Sequence, residues 1–145
     1  MDIFMQAAIE EAQKSFEQGG IPIGSVLVHN NKIIGRGHNQ RVQCGNPVLH
    51  GEMDALQNAG RLPASIYREC TIYTTLSPCS MCSGAILLYG IPKVIIGENK
   101  TFMGEEALLK ERDVVLEVLQ NEECIDLMQK FIAQSPTLWN EDIGE

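Results

Sequence analysis

Apolar residues fall at helical spacing over residues 2–18, where Ile3, Ala7, Ala8, Ala12 and Phe16 share one face, and Gly19-Gly20 stops the pattern as a C-terminal cap does. The period then changes. Residues 25–28 and 32–37 are short apolar runs flanking His29-Asn30-Asn31, and because asparagine tolerates positive φ the pair is expected to form a β-hairpin with His29 solvated in its turn. Residues 39–48 are polar and are expected to form a loop. Helical character returns over 50–58 and stops at Gly60, with 61–68 as a connection. The β-branched and aromatic stretch 70–75 predicts a strand, and Pro78 suits the entry to a helix over 79–89 that Gly90 and Pro92 break. A buried strand over 93–96, a helix over 105–112, a strand over 114–119 and a last helix over 122–134, ended by Pro136, complete the chain. A hairpin followed by alternating helices and strands predicts an α/β fold. It is expected to be a three-layer α/β/α sandwich around a mixed, roughly five-stranded sheet, one domain spanning 1–145.

Composition narrows the function. A formal charge of -8 repels phosphate backbones, and Lys and Arg are scattered rather than clustered, so no nucleic-acid partner is expected. No apolar run is long enough to span a bilayer. The N-terminal residues carry neither a basic segment nor a small-residue cleavage site, so no signal peptide and a cytoplasmic location are expected. Five cysteines, an odd number, fit reduced thiols better than a disulfide framework. Cys70 and Cys124 are expected to be small buried apolar residues, whereas Cys44 lies beside the Gly45-Asn46-Pro47 loop.

The chemistry lies in His50-Gly51-Glu52 and Ser77-Pro78-Cys79-Ser80-Met81-Cys82. One His and two Cys supply three zinc ligands, and a catalytic zinc keeps its fourth position for water, whereas structural sites close with a fourth protein ligand. Cys79 and Cys82, three apart at a helix start, can reach one ion, and the helix N-terminus favours their thiolates. Glu52, two residues after His50, is left over to take a proton from the activated water and deliver it to substrate. An isolated C-x-x-C or H-x-E is weak; in this order, each at a predicted helix start, they match the general signature of zinc deaminases acting on nucleobases.

These motifs, with Gly19-Gly20-Ile21-Pro22-Ile23-Gly24, Gly35-Arg36-Gly37-His38-Asn39, Tyr73-Thr74-Thr75-Leu76, Gly97-Glu98-Asn99 and the ending Glu141-Asp142-Ile143-Gly144-Glu145, resemble the cytidine deaminase superfamily over nearly the whole chain. The resemblance is to the small fungal-type cytosine deaminases within it. It implies a homodimeric enzyme of pyrimidine salvage that hydrolyses free cytosine to uracil and ammonia, with zinc held by His50, Cys79 and Cys82 and with Glu52 as proton shuttle. It implies further that the Asn39 side chain and the Gly51 N–H hold the 2-oxo group, the Ser77 carbonyl the exocyclic amine and Asp142 the ring edge. Ile23, Leu76, Phe102, Trp139 and Ile143 would be the apolar walls. Another amino-pyrimidine or amino-purine, such as isocytosine or guanine, is the alternative substrate. A tRNA adenosine deaminase shares the zinc motif but is opposed by the acidic charge.

Two further expectations concern surfaces. Ile86, Leu87 and Tyr89, on the helix after Cys82, are expected to contribute to a homodimer interface. Residues 136–145, with Leu138, Trp139 and Ile143 too apolar for a free tail, are expected to form a lid that closes over the base. His38, beside Asn39, is expected to be structural.

Overall fold

Two asparagines at positive φ, Asn30 (50°) and Asn31 (59°), reverse the chain between β1 (Gly24–His29) and β2 (Lys32–His38), as the hairpin pattern requires. The computed structural model describes residues 2–145. The sheet order is β2-β1-β3-β4-β5, with β3 at Cys70–Thr74, β4 at Lys93–Ile96 and β5 at Val115–Val118. β1 runs antiparallel to both β2 and β3, whereas β3, β4 and β5 are parallel. β1 alone therefore runs against the other four strands, and pairing changes from antiparallel to parallel at β3, the central strand.

Helices cover both faces, which confirms the α/β/α sandwich and its mixed five-stranded sheet. Side chains alternate along each strand. Val26, Val28, Tyr73 and Ile95 pack on Met5, Ala8 and Ile9 of α1 (Ile3–Glu17) and Cys124 of α7 (Glu122–Gln134). Leu27, Ile72, Val94 and Ile96 turn the other way, onto Leu56 of α3 (Gly51–Ala59) and Ala85 and Ile86 of α5 (Ser80–Tyr89). α3 lies directly on the β2 backbone because two glycines admit it: a Cβ at Gly35 would come within 2.5 Å of Ala55 O, and one at Gly37 within 2.5 Å of Ala55 N. Asp54 of α3 then accepts the His38 N–H at 3.0 Å. These contacts set the start of α3 against the end of β2.

Several local expectations need correction. The expected loop over 39–48 contains a single helical turn, α2 (Arg41–Cys44), and the connection over 61–68 contains another, α4 (Ala64–Tyr67). α6 occupies Glu106–Glu111. Pro136 does not merely end α7; it occupies the first turn of a further helix, α8 (Pro136–Asp142), where a missing N–H costs nothing. His29 is not free in solvent either, since its Nε2 lies 2.9 Å from Glu69 Oε1. Cys70 and Cys124 are buried and Cys44 is exposed. Ile86 belongs to the core and Leu87 is half-buried, whereas Tyr89 is exposed as expected and Leu88 beside it more so. No helix among the described residues is long and apolar enough to cross a membrane.

Glu11 joins α1 to β2 in the interior. Its carboxylate, 3% exposed as a residue, accepts Arg36 Nε at 2.7 Å and Lys14 Nζ at 2.9 Å and lies 3.0 Å from His38 Nδ1. Burial alone would raise its pKa, but the hydrogen bonds from His38, Lys14 and Arg36 outweigh that and hold it at about 2, against an ordinary 4.5. A carboxylate depressed in the folded state contributes stability that is full above its unfolded pKa and is lost as pH falls through the folded one. Glu11→Gln is expected to cost about 3 kcal/mol at neutral pH. In urea titrations the two proteins should converge as pH falls from 4.5 toward 2; a difference that stays constant over that range would refute the assignment.

Candidate active site

The sheet topology delivers three connections to one end of the sheet: the approach to β1, the exit from β2 and the exit from β3. Gly24 pairs with His38 and Ser25 with Thr74, so Ile23, Asn39 and the Leu76-Ser77-Pro78 segment arrive together. Two helices start there. His50 is the N-cap of α3 and Cys79 the N-cap of α5, and neither side chain bonds its own helix. N-caps are ordinarily Ser, Thr, Asp or Asn, whose oxygens satisfy first-turn N–H groups. Here both cap side chains turn toward each other, with Cys79 Sγ 3.4 Å from His50 Nδ1.

His50, Cys79 and Cys82 offer ligand atoms that all lie within 4.8 Å of one another, and they are the only such His, Cys, Asp and Glu group among the described residues. The donor set fits zinc. Asp142 Oδ1 sits 3.2 Å from His50 Nε2, which fixes the imidazole so that Nδ1 faces the sulfurs, the arrangement a carboxylate gives to a metal-ligating histidine. Burial pulls the His50 pKa down, but Asp142 and Cys79 outweigh it and raise it to about 10. The hydrogen bond from Cys82, against burial and with help from His50, lowers Cys79 to about 4, while the bond to Cys79 and burial push the Cys82 thiol up. Sulfur, imidazole and proton thus crowd a space of cation size.

Glu52, in the first turn of α3, is 3% exposed. Burial, and then the charge on Cys79, raise its pKa to about 7. A carboxyl poised there can both accept and release a proton near neutrality.

Three polar groups face the same cavity or its border with bonding capacity to spare. Asn39 Oδ1 accepts Arg41 N–H at 3.0 Å and its Nδ2 donates to Asp142 Oδ1 at 3.2 Å, which leaves one Nδ2 hydrogen. The Gly51 N–H and the Ser77 carbonyl have no partner among the described residues. Ile23, Leu76, Phe102, Trp139 and Ile143 supply the apolar lining. Phe102 and Trp139 meet edge to face, centroids 5.7 Å apart at 86°. The cavity between them measures about 10 Å³, room for roughly one water.

The structure therefore brings the candidate zinc, proton-transfer and base-binding residues to one place, although Asn39, Gly51 and Cys82 do not themselves line the cavity. What sequence reading missed is the support: the contact of Asp142 with His50, Asp54 behind His38, and Ser15 Oγ, which donates to Asn39 O at 2.9 Å. These residues act across elements, so no local spacing marks them. His38 is buried between Glu11 and Gln18 and does not enter the cavity.

Residues 2–98 match the family model described as the cytidine and deoxycytidylate deaminase zinc-binding region. A cytosine deaminase of Candida albicans is 57% identical over 142 residues, covering 97% of this chain and 95% of that one. A tRNA-specific adenosine deaminase of Streptococcus pyogenes is 40% identical over 142 residues, covering 90% and 89%. Among solved structures, a guanine deaminase from Nitrosomonas europaea superposes with a TM-score of 0.69 at 20% identity, over 90% of this chain and 83% of that one, a likeness of fold. The chain belongs to the cytidine and deoxycytidylate deaminase family and carries its zinc-binding domain.

Proposed function

We propose that this enzyme hydrolyses free cytosine to uracil and ammonia, with one zinc ion held by His50, Cys79 and Cys82. The observation that carries the reading is the buried Glu52 carboxyl beside that cluster, in a cavity it shares with His50, Cys79 and apolar side chains. The cytosine deaminase relative supports the choice of base. Zinc bound there supplies the Lewis acidity that makes water a nucleophile at neutral pH. Glu52 takes the proton of the attacking water, passes it to the ring and serves the departing amine. Asn39 Nδ2 and the Gly51 N–H hold the 2-oxo group, the Ser77 carbonyl accepts from the exocyclic amine, and Asp142 accepts a ring N–H. Ile23, Leu76, Phe102, Trp139 and Ile143 enclose the ring and exclude water. The reduced thiols needed for zinc fit a cytoplasmic setting.

Helix α8 serves as a lid. A cavity of about 10 Å³ is too small for a pyrimidine, so substrate entry requires lining side chains to move, and Trp139 and Ile143 of the C-terminal segment are the ones this lid would displace. Asp142 faces the ring nitrogen that carries ribose in a nucleoside, so a sugar there would both collide with the lid and remove the N–H. The charge of -8 and the closed wall oppose a polynucleotide substrate. Ammonia release assayed over cytosine, isocytosine, guanine and cytidine should favour cytosine, with cytidine at least about 10²-fold slower. Truncation after Pro136 should leave a folded, zinc-loaded protein with little turnover. Equal rates on cytosine and cytidine, or full turnover by the truncated chain, would refute the lid.

A homodimer is the assembly that best covers the remaining apolar surface. Tyr89 (41% exposed) and Val48 (50%) border a groove lined by Met53, Leu56, Leu62 and Tyr67, and Leu88 (77%) lines the adjoining depression that shares Leu62, Tyr67 and Tyr89. Monomers rarely leave such side chains contiguous and uncovered. Light scattering at micromolar concentration should give twice the chain mass, and Leu88→Glu should shift it toward one; a wild-type monomer would overturn the assignment.

A further inference from the structure

The peptides on either side of the Ser77–Pro78 bond are both held by hydrogen bonds, and so is the Ser77 side chain. Ser77 N donates to Glu98 O at 3.0 Å, and Pro78 O accepts Glu105 N at 3.1 Å and Ser83 Oγ at 3.2 Å. Ser77 Oγ accepts the Gly104 N–H at 3.0 Å and donates to Glu106 Oε2 at 2.6 Å, a length typical of hydroxyl to carboxylate. Gly104 is pressed so closely on the following Pro78–Cys79 peptide that a Cβ there would lie 1.8 Å from Pro78 O. The Ser77 carbonyl oxygen alone has no partner among the described residues, and Ser77 lines the cavity.

Glu106 is 5% exposed, and its second oxygen accepts Asn99 Nδ2 at 3.2 Å. Both donors are committed. The Ser77 hydroxyl accepts the Gly104 N–H and gives its one hydrogen to Glu106, and the Asn99 amide is oriented by its Oδ1, which accepts Gln120 Nε2 at 2.6 Å. Only a carboxylate accepts from both; a glutamine would set its NH2 against one of the two. A buried acid thus satisfies both donors as they stand, from a position outside the cavity.

We infer that Glu106 is a positioning residue for deamination, acting through Ser77 Oγ to fix the direction of the Ser77 carbonyl that receives the exocyclic amine. This rests on the function proposed above. As water adds, the carbon bearing the amine becomes tetrahedral, the nitrogen lone pair localises and takes a proton, and its N–H bonds become stronger donors. The bond to the carbonyl therefore strengthens toward the transition state, and misdirecting it lowers kcat more than it raises KM.

The test is steady-state kinetics of wild type, Glu106→Gln, Ser77→Ala and the double variant on cytosine, with inhibition by pyrimidin-2-one, the same ring without the exocyclic amine. Zinc content and melting are recorded alongside. Each single variant should lose roughly 10- to 100-fold in kcat with KM within about threefold. Pyrimidin-2-one inhibition should stay within about threefold, and the double variant should be no worse than either single one. Wild-type kcat in Glu106→Gln, an additive double variant, or a parallel loss of pyrimidin-2-one affinity would overturn the role. If Glu106→Gln does not fold, Ser77→Ala, which removes only the hydroxyl, carries the same comparison. Failure of wild type to release ammonia from cytosine would overturn the substrate reading instead, and the same variants on whichever amino base it accepts then decide the role of Glu106.

Discussion

The start of two helices at one point, each capped by a side chain that turns away from its own helix, is the constraint on which the rest of the site depends. His50 and Cys79 forgo the usual capping bond and face each other 3.4 Å apart, with Cys82 one turn behind. Such an arrangement needs both helices fixed in register. α5 is placed by β3, the strand at which the sheet changes from antiparallel to parallel, and α3 is placed by direct contact with the β2 backbone at Gly35 and Gly37. A side chain at either glycine would lift α3 from the sheet, and His50 would leave the cysteines.

Carboxylates ordinarily stay in water. Instead Glu11, Glu52, Asp54, Glu98, Glu106 and Asp142 are all buried. Five of them bind another part of the chain. Glu11 holds Arg36, Asp54 the His38 N–H, Glu98 the N–H groups of Lys100 and Thr101, Glu106 the Ser77 hydroxyl, and Asp142 both Asn39 and His50. Charge-assisted bonds of this kind are strong and directional where water is excluded. Glu52 differs, since its carboxyl has the Cys79 and Cys82 sulfurs beside it rather than a lysine or an arginine, and its pKa rises to about 7. The same residue type therefore fixes the frame at five positions and is left free to exchange a proton at the sixth.

Hydrophobic patterning made the long elements legible: α1 and α7 bury one face and carry a period near 3.6, whereas β1, β3 and β4, covered on both faces, read as short continuous apolar or β-branched runs. α2 and α4 were not legible. A single turn of four residues has no period to read, and its backbone bonds come from packing rather than propensity. Pro136 was ambiguous for a different reason: proline both terminates a helix and begins one, and only the burial of Trp139 and Asp142 decides for a beginning. In the site, the ligands and Glu52 stand out because metal chemistry demands those types at short spacing. Glu106 does not, since Ser77 lies 29 positions away and nothing along the chain joins them.

The claim that Glu52 moves the proton, while His50, Cys79 and Cys82 hold the metal, is tested most directly by one variant, Glu52→Gln, assayed for turnover on cytosine together with zinc content and melting temperature. An amide cannot accept the proton of the attacking water yet occupies the same volume. The expected result is a folded protein with about one zinc per chain and turnover reduced by at least roughly 10²-fold. A folded, zinc-loaded variant that retained more than about a tenth of wild-type turnover would contradict the assignment.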